Sequence, residues 1–174
     1  MQYNFESEYS TFQLSSSKTI NLQLQTDYSK LVATENAHCT HLFNGRYENI
    51  YIERSLIPSI SPVLNFANQC AKKILDIKND LDIGFWFNDM PPGSTTLPHT
   101  HDDDDELLSG VYYIKVPLNS GDLILTKNEN NKEIIKAKEG NLVLFKPNCL
   151  HEVSENKSNK QRLSIGINFG IRTV

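Results

Sequence analysis

The sequence predicts a mainly β fold of the jelly-roll type, a double-stranded β-helix with one or a few supporting α-helices in its N-terminal half. Three observations carry this. Short apolar stretches follow one another from Ile83 to Phe169, separated by Gly, Asn and Pro. Many short strands in even succession make a sandwich or a barrel. One strong helical pattern stands ahead of them, over Ser59–Ile77.

Taken in order, Thr19–Gln25 alternates apolar and polar residues with period two, which predicts a half-buried strand. In Ser59–Ile77, the residues Ile60, Val63, Leu64, Ala67, Cys70, Ala71, Ile74 and Leu75 recur at three- and four-residue steps. That spacing predicts the chain's one substantial helix, packed on the outside of a sheet. Pro62 suits its first turn, Ser59 or Ser61 its N-cap, and Lys72 and Lys73 its C-terminal end. Strands are then expected at Ile83–Asn88, Val111–Val116, Asp122–Thr126, Glu133–Ala137, Asn141–Phe145 and Leu163–Phe169. Met90–Gly93 and Pro117–Gly121 form breaks between them.

At 174 residues the chain suits a single domain, 1–174, with strands and a supporting helix in 1–80 and the jelly-roll core in 81–174. The net charge of -4, without a basic cluster, argues against a nucleic-acid partner. No apolar run reaches the length of a membrane span. Met1–Ser10 lacks the charged and apolar regions of a signal peptide. Three cysteines without regular spacing (Cys39, Cys70, Cys149) do not suggest a disulfide framework, so a cytoplasmic location is expected.

Three of the five histidines fall in two short segments, Pro98-His99-Thr100-His101-Asp102-Asp103 and Cys149-Leu150-His151-Glu152. In a strand, residues i and i+2 face the same side. His101 can therefore share a metal with Asp103 or with His99, and strand parity suits both pairs. His151 is the distal ligand. Two His and one carboxylate on one face leave coordination positions open for a bidentate 2-oxo acid and O2, a pattern that suits Fe(II). Asp102–Glu106 reads as a solvated rim, because the ligand spacing and Gly of an EF-hand are missing. His38-Cys39-Thr40-His41 has no second ligand pair and is not expected to bind zinc.

Arg162 follows His151 by eleven residues. Its guanidinium can hold a carboxylate through two hydrogen bonds, and Ser164, on the same strand face, adds a third. This suits the far carboxylate of 2-oxoglutarate. Tyr112 and Tyr113 alternate faces, so one of them points inward and can donate to the 2-oxo acid. Asn168 shares the inward parity of Arg162 and Ser164.

Leu108–Ile114, Ser120–Leu123, Glu139–Phe145, Leu150–Val153 and Arg162–Asn168 together resemble the 2-oxoglutarate/Fe(II)-dependent oxygenases of bacteria and phages. The resemblance covers about Pro91 to Gly170. It implies Fe(II) held by His101, Asp103 and His151, 2-oxoglutarate held by Arg162 and Ser164, and O2 as oxidant. It also implies hydroxylation of a substrate C–H, with succinate and CO2 as co-products. The distance to Ser109-Gly110 matches the family when His101 and Asp103 form the pair, and is about two residues long when His99 and His101 do. The prime substrate stays open among a metabolite, an amino acid and a protein side chain. Oligomeric state stays open too, with a homodimer among the choices. A cupin-like isomerase or small-ligand sensor would share the barrel and histidines without needing Arg162 and Ser164, and a barrel without metal would act only as a binding module.

Overall fold

A computed structural model gives the fold; it describes residues 3–5, 8–101, 106–128 and 131–171. Asp103, with its neighbours 102, 104 and 105, lies outside the described residues. The elements are β1 (Tyr9–Gln13), α1 (Ser17–Leu31), β2 (Ala37–Phe43), β3 (Arg46–Ile52), a 3-10 turn (Pro58–Ile60), α2 (Ser61–Leu75), β4 (Leu81–Met90), β5 (Thr96–His99), β6 (Glu106–Lys115), β7 (Leu123–Asn128), β8 (Asn131–Ile135), β9 (Asn141–Phe145), β10 (Leu150–Val153) and β11 (Arg162–Ile171). They form a seven-stranded sheet in the order β1-β9-β6-β11-β4-β3-β2 and a four-stranded sheet in the order β5-β10-β7-β8. Every pairing is antiparallel. This is the expected double-stranded β-helix.

Strand parity sorts side chains to the two faces of the large sheet. On β11, Leu163, Ile165, Ile167 and Phe169 join the core shared with the helices. Arg162, Ser164, Gly166 and Asn168 face the cavity between the sheets. On β6, Leu108, Tyr112 and Ile114 face the helices, while Ser109, Val111 and Tyr113 face the cavity. A smaller apolar cluster of Tyr113, Leu123, Leu125, Ile135, Val143 and Phe145 closes one part of the space between the sheets.

α2 follows its expected pattern: Val63, Leu64, Ala67, Cys70, Ala71, Ile74 and Leu75 are buried, and Lys72 and Lys73 lie in its last turn. Its start differs from expectation. Ile60 occupies the N-cap without a side-chain cap, because the 3-10 turn led by Pro58 already supplies backbone bonds there.

The strand expected over Thr19–Gln25 is instead part of α1, so two helices of equal length support the sheet. The buried residues of α1 are Asn21, Leu24 and Tyr28, spaced by three and four, whereas Leu22 is 59% exposed. The period-two pattern misleads because it counts Leu22 as core and Asn21 as surface. Asn21 is buried for its hydrogen bonds: its amide donates to the carbonyls of Tyr113 (3.2 Å) and Ile114 (2.9 Å) and its oxygen accepts from the Tyr112 hydroxyl at 2.8 Å. Such bonds contribute about 1 kcal/mol each and cost more if a buried partner is orphaned. Tyr28 adds a second tie, donating to Asp89 Oδ2 at 2.9 Å.

β2 and β3 extend the large sheet as a hairpin. Its two-residue turn, Asn44-Gly45, takes positive φ at both positions (46° and 79°), as the hairpin twist requires.

Candidate metal centre and co-substrate pocket

The β5–β10 pairing places His99 directly opposite His151. Directly opposed antiparallel residues carry their Cβ atoms about 4.5–5.5 Å apart, and here the imidazole centroids lie 4.2 Å apart. His101 completes a triangle, 4.9 Å from His99 and 5.1 Å from His151. Its backbone N–H donates to Pro147 O at 2.8 Å, which fastens the end of the β5 segment to the β9–β10 turn. One ligand nitrogen from each of the three histidines lies within 4.8 Å of the other two. Nitrogens bound about 2.1 Å from one metal stand about 3.0–3.4 Å apart at octahedral or tetrahedral angles, so side-chain rotations that move the nitrogens by about an ångström close the set on an ion.

The ring orientations suit ligation. Nδ1 of His99 lies 2.8 Å from Leu97 O, and Nδ1 of His151 lies 2.9 Å from Cys149 O. A carbonyl only accepts, so each Nδ1 carries the proton and Nε2 keeps its lone pair for a metal. Burial, with the neighbouring His99 and His101 charges, lowers the His151 pKa to about 3. His151 is therefore a neutral ligand with no proton to displace near neutral pH. No described carboxylate belongs to the triangle.

The same cavity, about 540 Å³, runs along β11 to Arg162. That side chain is 1% exposed. Its Nη1 donates to Met90 Sδ at 3.0 Å, and the guanidinium stands 5.3 Å from the centre of the Tyr113 ring. Nε has no hydrogen-bond partner, and no described acid forms a salt bridge with the group. Burial lowers the pKa of Arg162 and pushes that of Tyr113 up to about 12. The Tyr113 hydroxyl is buried beside the Arg162 guanidinium, whose charge and hydrogen bond temper the rise in its pKa, and Ser164 sits beside Tyr113 in register. A buried, unpaired guanidinium is costly. A carboxylate from a bound diacid would relieve it, with Ser164 and Tyr113 as neighbouring donors, so the pocket fits 2-oxoglutarate.

Of the two tyrosines, Tyr113 enters the cavity. Tyr112 does not, which corrects its expected place beside the co-substrate: parity turns it to the helix face, where Asn21 holds its hydroxyl. Asn168 lines the cavity farther along β11, and its amide nitrogen donates to Glu106 Oε1. His38-Cys39-Thr40-His41 joins no metal-type cluster among the described residues; His41 reaches the cavity rim, with Nδ1 at 2.8 Å from Thr40 Oγ1. Sequence reasoning missed Trp86, Asn88, Glu106 and Ser109 as cavity residues. Parity along β4 carried the signal for Trp86 and Asn88, because the alternate residue Phe87 belongs to the helix-side core.

Three histidines that could hold a metal ion and a buried arginine thus share one cavity of a double-stranded β-helix. Residues 84–168 match the family model described as "Putative 2OG-Fe(II) oxygenase", a span that includes all three histidines, Arg162 and Ser164. Those residues, just under half of the chain, are therefore similar to a family of enzymes that use Fe(II), 2-oxoglutarate and O2.

Solved structures agree in fold. A prolyl-4-hydroxylase of Pseudomonas putida is 19% identical, covers 94% of this chain and 92% of its own, and has a TM-score of 0.74. The α-ketoglutarate-dependent carbocyclase SnoK of nogalamycin biosynthesis is 12% identical, with 95% and 80% covered and a TM-score of 0.77. A Trichoplax adhaerens prolyl hydroxylase, solved with a hypoxia-inducible-factor peptide fragment, is 16% identical, with 95% and 84% covered and a TM-score of 0.72. No curated protein matches the sequence. No helix among the described residues is long and apolar enough to cross a membrane.

Proposed function

We propose that the enzyme is a hydroxylase that binds Fe(II) through His99, His101 and His151 and 2-oxoglutarate through Arg162, Ser164 and Tyr113. The supporting observation is the pairing in one cavity of a three-histidine cluster, with the Nε2 lone pairs of His99 and His151 left for a metal, and a buried Arg162 that has no salt bridge among the described residues. When bound, Fe(II) with 2-oxoglutarate supplies the activation of O2 for C–H oxidation. In the balanced reaction, one oxygen atom becomes the substrate hydroxyl and the other enters succinate. C1 of the 2-oxo acid leaves as CO2, and its decarboxylation supplies two of the four electrons that O2 takes up; the substrate C–H supplies the other two.

The chain's own residues orient and exclude water. Leu97 and Cys149 carbonyls hold two imidazoles in the ligating tautomer. Arg162, with Tyr113 over its plane, fixes the far carboxylate of the diacid and so its 2-oxo end. Phe145 packs on His151, ring centres 4.8 Å apart, and keeps water from that side of the site.

Asp103 is the rival third ligand. Family spacing favours it, whereas the geometry of the described residues favours His99. His99→Ala and Asp103→Ala, each titrated anaerobically with Fe(II), separate the two: the true ligand's variant loses iron affinity and the other keeps it.

The hydroxylase reading is tested by the visible charge-transfer band of anaerobic protein with Fe(II) and 2-oxoglutarate. The band should form and disappear in His151→Ala. No band, together with no succinate formed in air, would sink the proposal and favour a cupin-like isomerase or sensor.

A further inference from the structure

The cavity extends past the metal triangle, away from Arg162. Arg162 and Asn168 are six residues apart on one strand, about 20 Å at strand rise. A five-carbon diacid anchored at Arg162 is far shorter than that span and leaves the Asn168 end to another molecule. The Trp86 ring marks the level of the metal: its centroid lies 5.5 Å from that of His101, and the ring covers Gly166, midway between Ser164 and Asn168.

The Asn168 end is built from acceptors. The Asn168 amide nitrogen donates to the Glu106 carboxylate, which can only accept while ionised. That contact fixes the amide so that Oδ1 is the atom left over, and Oδ1 has no hydrogen-bond partner among the described residues. Ser109 pairs with Asn168 in register, is 1% exposed, lines the cavity, and its Oγ has no partner. Asn88 Oδ1, also buried, has none either. Glu106 gives this end a negative charge. The Arg46 guanidinium is engaged elsewhere, by Glu48 at 2.9 Å and Thr95 O at 2.7 Å. Tyr51 and Trp86 line the same stretch with ring centroids 6.4 Å apart. Aromatic faces near an acid favour a cation.

We propose that the Glu106–Ser109–Asn168 cluster, with Trp86 and Tyr51, is the prime-substrate subsite, and that it selects a substrate by a protonated nitrogen, the amine or guanidinium of a basic amino acid. The inference rests on the oxygenase reading and adds the substrate class. Anchoring the nitrogen at Asn168 sets a carbon a few bonds away opposite the histidines, where the hydroxylation balanced above takes place. The cluster recognises the cationic group whether the amino acid is free or inside a peptide.

The test is anaerobic calorimetry on protein loaded with Fe(II) and 2-oxoglutarate, followed by product mass in air. The probes are free arginine and lysine, their neutral counterparts citrulline and norleucine, glutamate, and short peptides carrying arginine or lysine. Arginine or lysine, in the free or the peptide arm, should bind at least tenfold tighter than its neutral counterpart and gain one oxygen atom. The arm that binds identifies the source. Glu106→Gln, which keeps the shape and removes the charge, should narrow that discrimination at least tenfold without changing neutral binding, and Asn168→Ala should narrow it too. Equal binding of basic and neutral probes, or an equal loss for both in Glu106→Gln, overturns the proposal. If the charge-transfer band forms but no basic probe binds, this inference falls and the oxygenase reading stands; if no band forms, both fall.

Discussion

Replacing Arg162 with Met should move stability and binding in opposite directions. In the ligand-free protein Arg162 is 1% exposed, its guanidinium is held by the Met90 thioether and Tyr113, and among the described residues no carboxylate lies within salt-bridge distance of it. Replacing a buried charge by an apolar group of similar volume often stabilises by about 1–4 kcal/mol. The lost cation–π contact takes back up to about 2 kcal/mol. The net change is then between about -1 and +4 kcal/mol, a gain over most of that range, and for a chain of this size each kcal/mol moves Tm by about 2–4 °C. Binding goes the other way. Two charge-assisted hydrogen bonds to a carboxylate, at about 1.5–3 kcal/mol each, are lost. That weakens 2-oxoglutarate by about two to four orders of magnitude, at roughly tenfold per 1.4 kcal/mol. Scanning calorimetry of the metal-free protein reads the first quantity, and anaerobic titration of the Fe(II) protein with 2-oxoglutarate reads the second. Iron affinity should stay near wild type. A clear fall in the metal-free Tm, or a 2-oxoglutarate affinity within threefold of wild type, would refute the account of Arg162 as a cation awaiting a carboxylate.

The two tyrosines should separate cleanly. Tyr112→Phe orphans Asn21 Oδ1 and should cost about 1–3 kcal/mol of stability with little effect on 2-oxoglutarate affinity, as chemical denaturation and titration will show. Tyr113→Phe should do the reverse. Gly166→Ala drives a Cβ into the Trp86 ring, so it should displace that ring, destabilise by about 1–3 kcal/mol and depress turnover, read by denaturation and succinate assay. His151 has its pKa lowered on folding, so the unfolded chain binds the extra proton first. The metal-free protein should therefore lose stability as pH falls from about 6.5 toward about 3, at up to about 1.4 kcal/mol per pH unit from this group, and His151→Gln should flatten that slope in Tm against pH.

Much of this protein is legible in one dimension. Six strands, β4, β6, β7, β8, β9 and β11, announce themselves as apolar stretches bounded by turn residues, and β9 falls at Asn141–Phe145 as read, whereas the four-residue β5 and β10 carry too little pattern to be read as strands. Parity on β11 alone places Arg162, Ser164 and Asn168 on one face, since period two is a property of the extended backbone and needs no partner strand. The chemistry of His99, His101 and His151 is likewise written in residue type and spacing.

What sequence left open depends on contacts between distant segments. α1 reads as a strand because its buried polar residue, Asn21, is chosen by the β6 carbonyls it serves, and those lie about ninety residues away. Which tyrosine enters the pocket follows from the register of β6 against β11. The pairing of His99 with His151 is a fact of the β5–β10 register, and it makes His99 a ligand candidate equal to any carboxylate. Glu106 reads as the end of a solvated acidic run until the fold sets it against Asn168. Periodicity is local and survives in the sequence. A buried charge without a partner is not local, and only the tertiary structure shows that Arg162 has none among the described residues.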